Sequence, residues 1–597
     1  MKHHRRKVPA HSAAMPSPVV DAAGFLPTTR AEMIARGWDE LDVLLITGDA
    51  YVDHPSFGAA MIGRVLEAEG FRVGIVAQPD WKSTAAIEVM GRPRLMVGVT
   101  AGNLDSMLSN YTAARHKRKE DVYSPGGVPG RRPNHAAVVY AQLARRAFPG
   151  VPVILGGMEA SMRRVVHYDY WEDKLRPSIL TDSKADLLVY GMGERAVRLI
   201  ARRLRDGDRD LAGIPGTARL LGAKAAAALD TAGCVVLPSW EEMKADSGLI
   251  WKLTRVTEAQ QTPFSGKRLV QRHGDRAVWI EPPAMPVDGE ELDALYELPF
   301  MRLPHPSYRE PVPGFATIKD SVIVSRGCSG GCTFCGLGLH QGKFLSSRSV
   351  DSVLKEVRKL TGMESFRGTV SDLGGPTANL YGARNGHVEA CRNCHRPSCL
   401  WPSICPHFEI NEEPGLELLR GARAVPGVKH VFVQSGIRMD VAVRTPEYMK
   451  ELVTRHVSGH MKVAPEHLHP EVLRRMRKPA GDFPAFMEKF HELSAEAGKE
   501  QYLVPYFISS FPGCTEQEMG VVEEFLKKER WNLQQVQDFI PLPMTSAAAM
   551  YVSGRDINTG KPIPVARNAG ERERQKRMLR PNPADHRARP RDVDTVD

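Results

Sequence analysis

Twice along this chain, short apolar runs alternate with stretches of helical period, and that double alternation constrains the fold more than any other feature. Between residues 40 and 200 the runs DVLLIT (42–47), FRVGIVA (71–77), RLMVGVT (94–100), VPVILGG (151–157) and ADLLVYG (185–191) have the length of buried strands. SFGAAMIGRVLEAEG (56–70), HAAVVYAQLARRAF (135–148) and ERAVRLIARRL (194–204) lie between or after them with helical period. Such alternation predicts an α/β domain over 36–205: a Rossmann-like, doubly wound parallel sheet with helices on both faces. Ligands of these sheets bind beyond the C-terminal strand ends, here residues 49–54, 100–103, 156–159 and 191–194.

From 320 the alternation restarts with SVIVSR (321–326), GTVSDLG (368–374), VKHVFVQS (428–435), GHMKVAP (459–465), QYLVPYFIS (501–509) and QVQDFIP (535–541). Helical patterns at 349–361, 414–424, 446–456, 469–477 with 484–497, and 515–529 separate or follow them. Six strand–helix units predict a partial (β/α)6 TIM-like barrel over 316–545, with its chemistry on the loops that follow the strands. Residues 206–315, with Pro-rich stretches, read as a connecting region. Residues 1–35 read as a disordered N-terminus and 546–597 as a C-terminal extension with a disordered basic tail.

At 597 residues the chain has room for several domains, and 42% hydrophobic with 25% charged residues is globular composition. It contains no apolar run of about 18 residues, so no membrane span is expected. The N-terminal charges lack an apolar segment behind them, so the start does not read as a signal peptide and a cytoplasmic location is expected. The net charge of +10 sits largely at the two ends, Lys2, Arg5, Arg6 and Lys7 at one and ten Lys/Arg against six Asp/Glu in 561–597 at the other. The near-neutral remainder argues against a nucleic-acid surface.

Of nine cysteines, seven fall between 328 and 405. In a reducing compartment that clustering points to metal rather than disulfides. RGCSGGCTFCG places Cys328, Cys332 and Cys335 at C-x3-C-x2-C directly after the first strand of the second series, hence at the barrel mouth. Its glycines let the backbone wrap a bulky centre and aim N–H groups at sulfur. Three thiolates on a cubane iron–sulfur cluster leave one iron open, and a small molecule with adjacent amine and carboxylate can chelate it. A zinc knuckle or a regulatory thiol patch is the blander alternative.

A second run, CRNCHRPSCLWPSICPHF, places Cys391, Cys394, Cys399 and Cys405 at C-x2-C-x4-C-x5-C in an insert over 383–410, with His395 and His407 nearby. Four soft ligands can close a structural zinc site, hold an auxiliary iron–sulfur centre or stand as reduced thiols, and spacing alone does not choose.

The triplet, with Phe334 just before its third cysteine, resembles the radical S-adenosylmethionine (SAM) enzymes. That resemblance implies a [4Fe-4S] cluster on Cys328, Cys332 and Cys335, SAM on the open iron, and reductive cleavage of SAM to a 5′-deoxyadenosyl radical that attacks a substrate. It also implies an electron donor of the flavodoxin or ferredoxin type. SDLGGPTAN (371–379) stands where such enzymes carry a GGE-like motif; Gly374 and Gly375 match it and Pro376 replaces the usual Glu. VQSGIRMD (433–440) offers Ser435 and Arg438 toward the SAM ribose or carboxylate. KVAPEHLHPEVLRRMRKP (462–479), with Glu466 at the acidic position, is similar to the Elp3- and MiaB-like branch, as is YFISSFPGCTEQEM (506–519), with Cys514 in place of Glu. Four further stretches, at 100–127, 156–171, 372–382 and 551–567, look like the YgiQ family of radical SAM proteins, a resemblance running from about 35 to 580. The substrate stays open. A non-catalytic iron–sulfur or zinc redox sensor and an RNA-modifying methylthiotransferase-like enzyme are the alternatives.

The N-terminal sheet resembles the cobalamin-binding domain attached to many radical SAM enzymes. The base-off signature D-x-H-x-x-G is absent, since Asp53-His54 precede Gly58 at the wrong spacing. Some members bind cobalamin without that His, yet an empty or repurposed domain is the expectation. GMGERA (191–196) follows the last strand instead of the first and does not indicate a dinucleotide.

Overall fold

A computed structural model describes residues 22–533 and 536–581. The expected N-terminal sheet forms around β1 (Val43–Thr47), β2 (Val73–Ala77), β3 (Met96–Thr100), β4 (Val153–Gly156) and β5 (Leu187–Val189). They pair parallel in the order β2-β1-β3-β4-β5. The period-two alternation of side chains feeds two cores. Val43 and Leu45 join Met61, Val65 and Leu66 of the helix Gly58–Ala68 on one face. Leu44 and Ile46 join Tyr140, Leu143 and Ala144 of the helix Ala136–Ala147 on the other. Both faces are therefore dry, which is why the strands read as continuous apolar runs.

The sheet does not stop at 205. β6 (Thr217–Leu221), β7 (Val235–Val236), β8 (Leu269–His273) and β9 (Arg276–Ile280) extend it to nine strands, in the order β2-β1-β3-β4-β5-β6-β9-β8-β7. β6 runs antiparallel to β5, and β8 and β9 form a hairpin. The region expected to be a connector is thus largely a continuation of the first domain. Its sequence signal was present: LVQRH and RAVWI flank the two-residue turn Gly274-Asp275, with Gly274 at φ 64°.

The expected disordered N-terminus needs a second correction. From 22 the chain is ordered, with a helix at Arg30–Ala35, and Phe25, Leu26 and Met33 are buried. Gly63 makes room for this: a Cβ there would lie 2.4 Å from Leu26 Cδ1. The expectations for residues 1–21 and for the tail beyond 581 lie outside the described residues.

The second series also folds as expected, as parallel strands alternating with helices. β10 (Ser321–Ile323) pairs with β11 (Asp372–Gly374), and Thr369–Val370, just before β11, pairs with β12 (His430–Val431). β13 (His460–Glu466), β14 (Tyr502–Ser509) and β15 (Gln537–Asp538) pair in chain order. Helices Val350–Thr361, Glu413–Ala424, Pro446–Arg455, Asp482–Glu496 and Glu516–Lys528 cover the outside. Beyond 545 the extension folds as well. Helix Ser546–Ser553 packs on Ile250–Ala259, and Trp251 Nε1 donates to the Asp556 carbonyl at 3.1 Å. Gln575, on helix Ala569–Arg577, donates to the Cys514 carbonyl and accepts from Ser510 N.

Candidate active site

The cysteine triplet rides on an excursion closed at its base. Ser325–Arg326 pairs antiparallel with Ser346–Ser347, so residues 327–345 leave and return at one point. Inside it Cys328 N donates to the Gly342 carbonyl (3.0 Å), and Gly327 N to Gln341 Oε1 (3.0 Å). Gly327 has φ 87°, and a Cβ there would sit 2.1 Å from the Phe344 carbonyl oxygen, so only glycine fits this close approach. The three thiols are free. Burial pushes the Cys332 thiol up and that of Cys335 up to about 12. A metal must therefore displace protons to bind, and the cations Lys478 and Arg438 facing Cys332 favour the thiolate.

Several residues from other strand ends meet this loop. Arg438 is buried and clamped by Asp440, with Nε at 2.9 Å and Nη2 at 2.6 Å from its two oxygens. Its free Nη1 points at Gly330: a Cβ there would lie 2.8 Å from Nη1, 3.5 Å from Cys328 Sγ and 3.8 Å from Cys332 Sγ. The loop thus leaves a cradle between two thiols and a guanidinium. Thr377, from the segment after Gly374-Gly375, brings Oγ1 to 3.8 Å from Cys328 Sγ. Glu466 ends β13 in the left-handed region, φ 67°, with Lys478 Nζ 3.7 Å away. Burial pushes its carboxyl above the usual range, and its charge reaches Cys332 and Cys335.

Gly374, Gly375 and Ser435 stand slightly apart, on the wall of a cavity of about 760 Å³ between the barrel mouth and the first sheet. A Cβ on Gly374 would fall 1.9 Å from Ser435 Oγ, which donates to Asp372. Asp372 also accepts from Gln434 N and Ser435 N, at 2.8 and 3.0 Å, and burial raises its carboxyl. Sequence reasoning passed over Asp372, Thr377 and Lys478. The first was findable as an acid two residues before the Gly374-Gly375 pair. Phe334 is not brought to the cavity: its ring packs edge-on against Phe511, with centroids 6.3 Å apart.

The opposite wall comes from the first sheet. Asp49 follows β1 and Gly102 and Asn103 follow β3, so the cavity opens over the switch point where the strand order reverses. Asn103 N donates to Asp49 Oδ2 (2.7 Å), and Asp49 pairs with fully buried Arg132 at 2.7 Å. The two halves are joined by Arg326, the first residue of the cysteine stretch, which binds Glu194 Oε1 at 2.6 Å and Tyr296 OH at 3.2 Å. Burial pushes the Glu194 carboxyl up, yet the guanidinium outweighs it and holds the net value below the usual range.

The second cysteine run lies beside the triplet. Cys399 N donates to the Ser329 carbonyl (3.0 Å), and Ser398 Oγ to the Gly330 carbonyl (2.8 Å). Among the described residues, no three His, Cys, Asp or Glu side chains converge tightly enough to hold a single metal ion, and this covers both cysteine groups.

Comparison with known proteins finds similarity over most of the chain. The family described as Radical SAM N-terminal matches residues 25–321, and the Radical SAM superfamily matches 322–526. A UPF0313 protein of Geobacter sulfurreducens is 49% identical over 558 residues, covering 93% of this chain and 92% of its own. UPF0313 protein YgiQ of Escherichia coli K12 is 43% identical over 594 residues, covering 89% and 80%. Among solved structures, the radical SAM methyltransferase TsrM of Kitasatospora setae, with cobalamin and a [4Fe-4S] cluster bound, aligns at TM-score 0.50 and 15% identity. The alignment covers 90% of this chain and 81% of that one, a likeness of fold alone.

Proposed function

The chain belongs to the UPF0313 (YgiQ) family of radical SAM proteins, and from that premise we propose that it is an enzyme that cleaves SAM reductively at Cys328, Cys332 and Cys335. The observation that carries this reading is the cradle at Gly330, where two of the three thiols and Arg438 Nη1 face one another with no side chain between them. A [4Fe-4S] cluster suits three thiols on one loop, because each thiolate takes a separate iron. When bound, the cluster supplies the electron that breaks the SAM sulfur–carbon bond and yields a 5′-deoxyadenosyl radical.

The chain's own residues have distinct parts in this proposal. Arg438, held rigid by Asp440, presents one free guanidinium edge to the SAM carboxylate or ribose. Gly374 and Gly375 offer unobstructed backbone to the amino group. Asp372 orients Ser435. Glu466 is kept in a left-handed conformation that costs on the order of 1–3 kcal/mol, strain of a kind that gathers at ligand sites. The substrate enters the cavity above the first sheet. That space could also take a corrinoid, although its walls carry no D-x-H-x-x-G histidine. The electron comes from an external one-electron carrier such as flavodoxin or ferredoxin.

Replacing Cys328, Cys332 and Cys335 together by Ala should abolish 5′-deoxyadenosine formation from SAM and dithionite in anaerobically reconstituted protein. Undiminished 5′-deoxyadenosine from that variant would overturn the assignment.

A further inference from the structure

We propose that Cys391, Cys394, Cys399 and Cys405 hold a second iron–sulfur cluster, closed by four thiolates and separate from the one on the 326–336 loop. All four line a single cavity of about 420 Å³, together with His395 and His407. None is bonded to another cysteine. A single tetrahedral zinc, at about 2.3 Å from each sulfur, would leave much of a cavity of this size empty. Four thiols lining a cavity of this size suit a multi-iron centre, in which each thiolate binds its own iron.

The wall chemistry fits an anionic centre. Lys343 Nζ lies 3.8 Å from Cys394 Sγ, and Asn385 Nδ2 donates to Cys399 Sγ at 3.5 Å. Arg396 also lines the cavity, and no carboxylate does among the described residues. Hydrogen bonds to sulfur and nearby positive charge are the protein's means of stabilising such clusters. The insert is also held in place. Lys343 Nζ donates to the Arg396 carbonyl (2.9 Å), and Arg396 Nη2 reaches the carbonyls of Trp401 and Ser403 at 3.0 and 2.7 Å. Cys394 and His395 share a small gap with Cys328, Cys332 and Cys335, so the two centres are neighbours.

The test is metal and acid-labile sulfide analysis of full-length protein reconstituted anaerobically with iron and sulfide. The Cys328→Ala/Cys332→Ala/Cys335→Ala variant leaves the insert intact and should retain roughly two to four irons per chain with an equal amount of sulfide. The Cys391→Ala/Cys394→Ala variant should lose that same amount relative to wild type while keeping the SAM-sensitive EPR signal of the first cluster. If the triplet variant binds no iron, the proposal fails whether or not the second variant folds. Retention of about one zinc and no sulfide by the triplet variant would equally overturn it, in favour of a structural zinc site.

Discussion

His467 shows how a single residue's surroundings set a property that its sequence position does not announce. In EHLHP it reads as polarity at a helix entry. In the fold it is 1% exposed, its Nδ1 accepts from His469 N (3.0 Å) and its Nε2 faces Cys514 Sγ at 3.4 Å. Burial, aided by the neighbouring His469, lowers its pKa to about 3 from the ordinary 6.5. The unfolded chain therefore binds the proton first. The stability this neutral histidine contributes is present above pH 6.5 and is lost as pH falls toward the folded value. Between pH 7 and 5 the loss should be about 2 kcal/mol. Urea unfolding of the metal-free protein at those two pH values should show it, and His467→Gln should flatten the dependence. An unchanged slope in the variant would show that other groups carry it. The glycines were more legible. Gly374-Gly375 stood out as a pair after a strand, but only the fold shows that Ser435 and Ser325 occupy the space their side chains would need.

At the scale of elements, legibility tracked periodicity. Helix Glu516–Lys528 announces itself by its apolar stripe and by a capping box in which Thr515 and Glu518 satisfy each other's backbone N–H groups. β12 shrank from the eight residues of VKHVFVQS to His430–Val431. Residues 22–35 were misread because they lack a period of their own; their order comes from docking on helix Gly58–Ala68. Leu26 is wholly buried against Gly63 of that helix. Leu26→Ala should cost about 2–5 kcal/mol. The midpoint of chemical unfolding, at unchanged denaturant slope, measures it. A shift under 0.5 kcal/mol would mean that the segment contributes little to the fold.

At the scale of the whole molecule, the two α/β halves are fastened at the functional cavity itself. Arg326 begins the cysteine stretch and Glu194 begins the helix after β5; each is buried and each is the other's charge partner. Removing one leaves an unpaired buried charge, so Glu194→Gln should destabilise by about 3–5 kcal/mol, read by thermal or urea unfolding. A loss below 1 kcal/mol would show that water reaches the pair. By itself the sequence determined the two strand–helix series, the position of three cysteines after the first strand of the second, and the glycines around them. These are local matters of periodicity, spacing and conformational freedom. Only the tertiary structure decided that a nine-strand sheet absorbs the supposed connector, that Arg438 and Thr377 meet the thiols, and that the second cysteine run docks on the first. Those outcomes rest on contacts between residues tens to hundreds of positions apart, which no local pattern encodes.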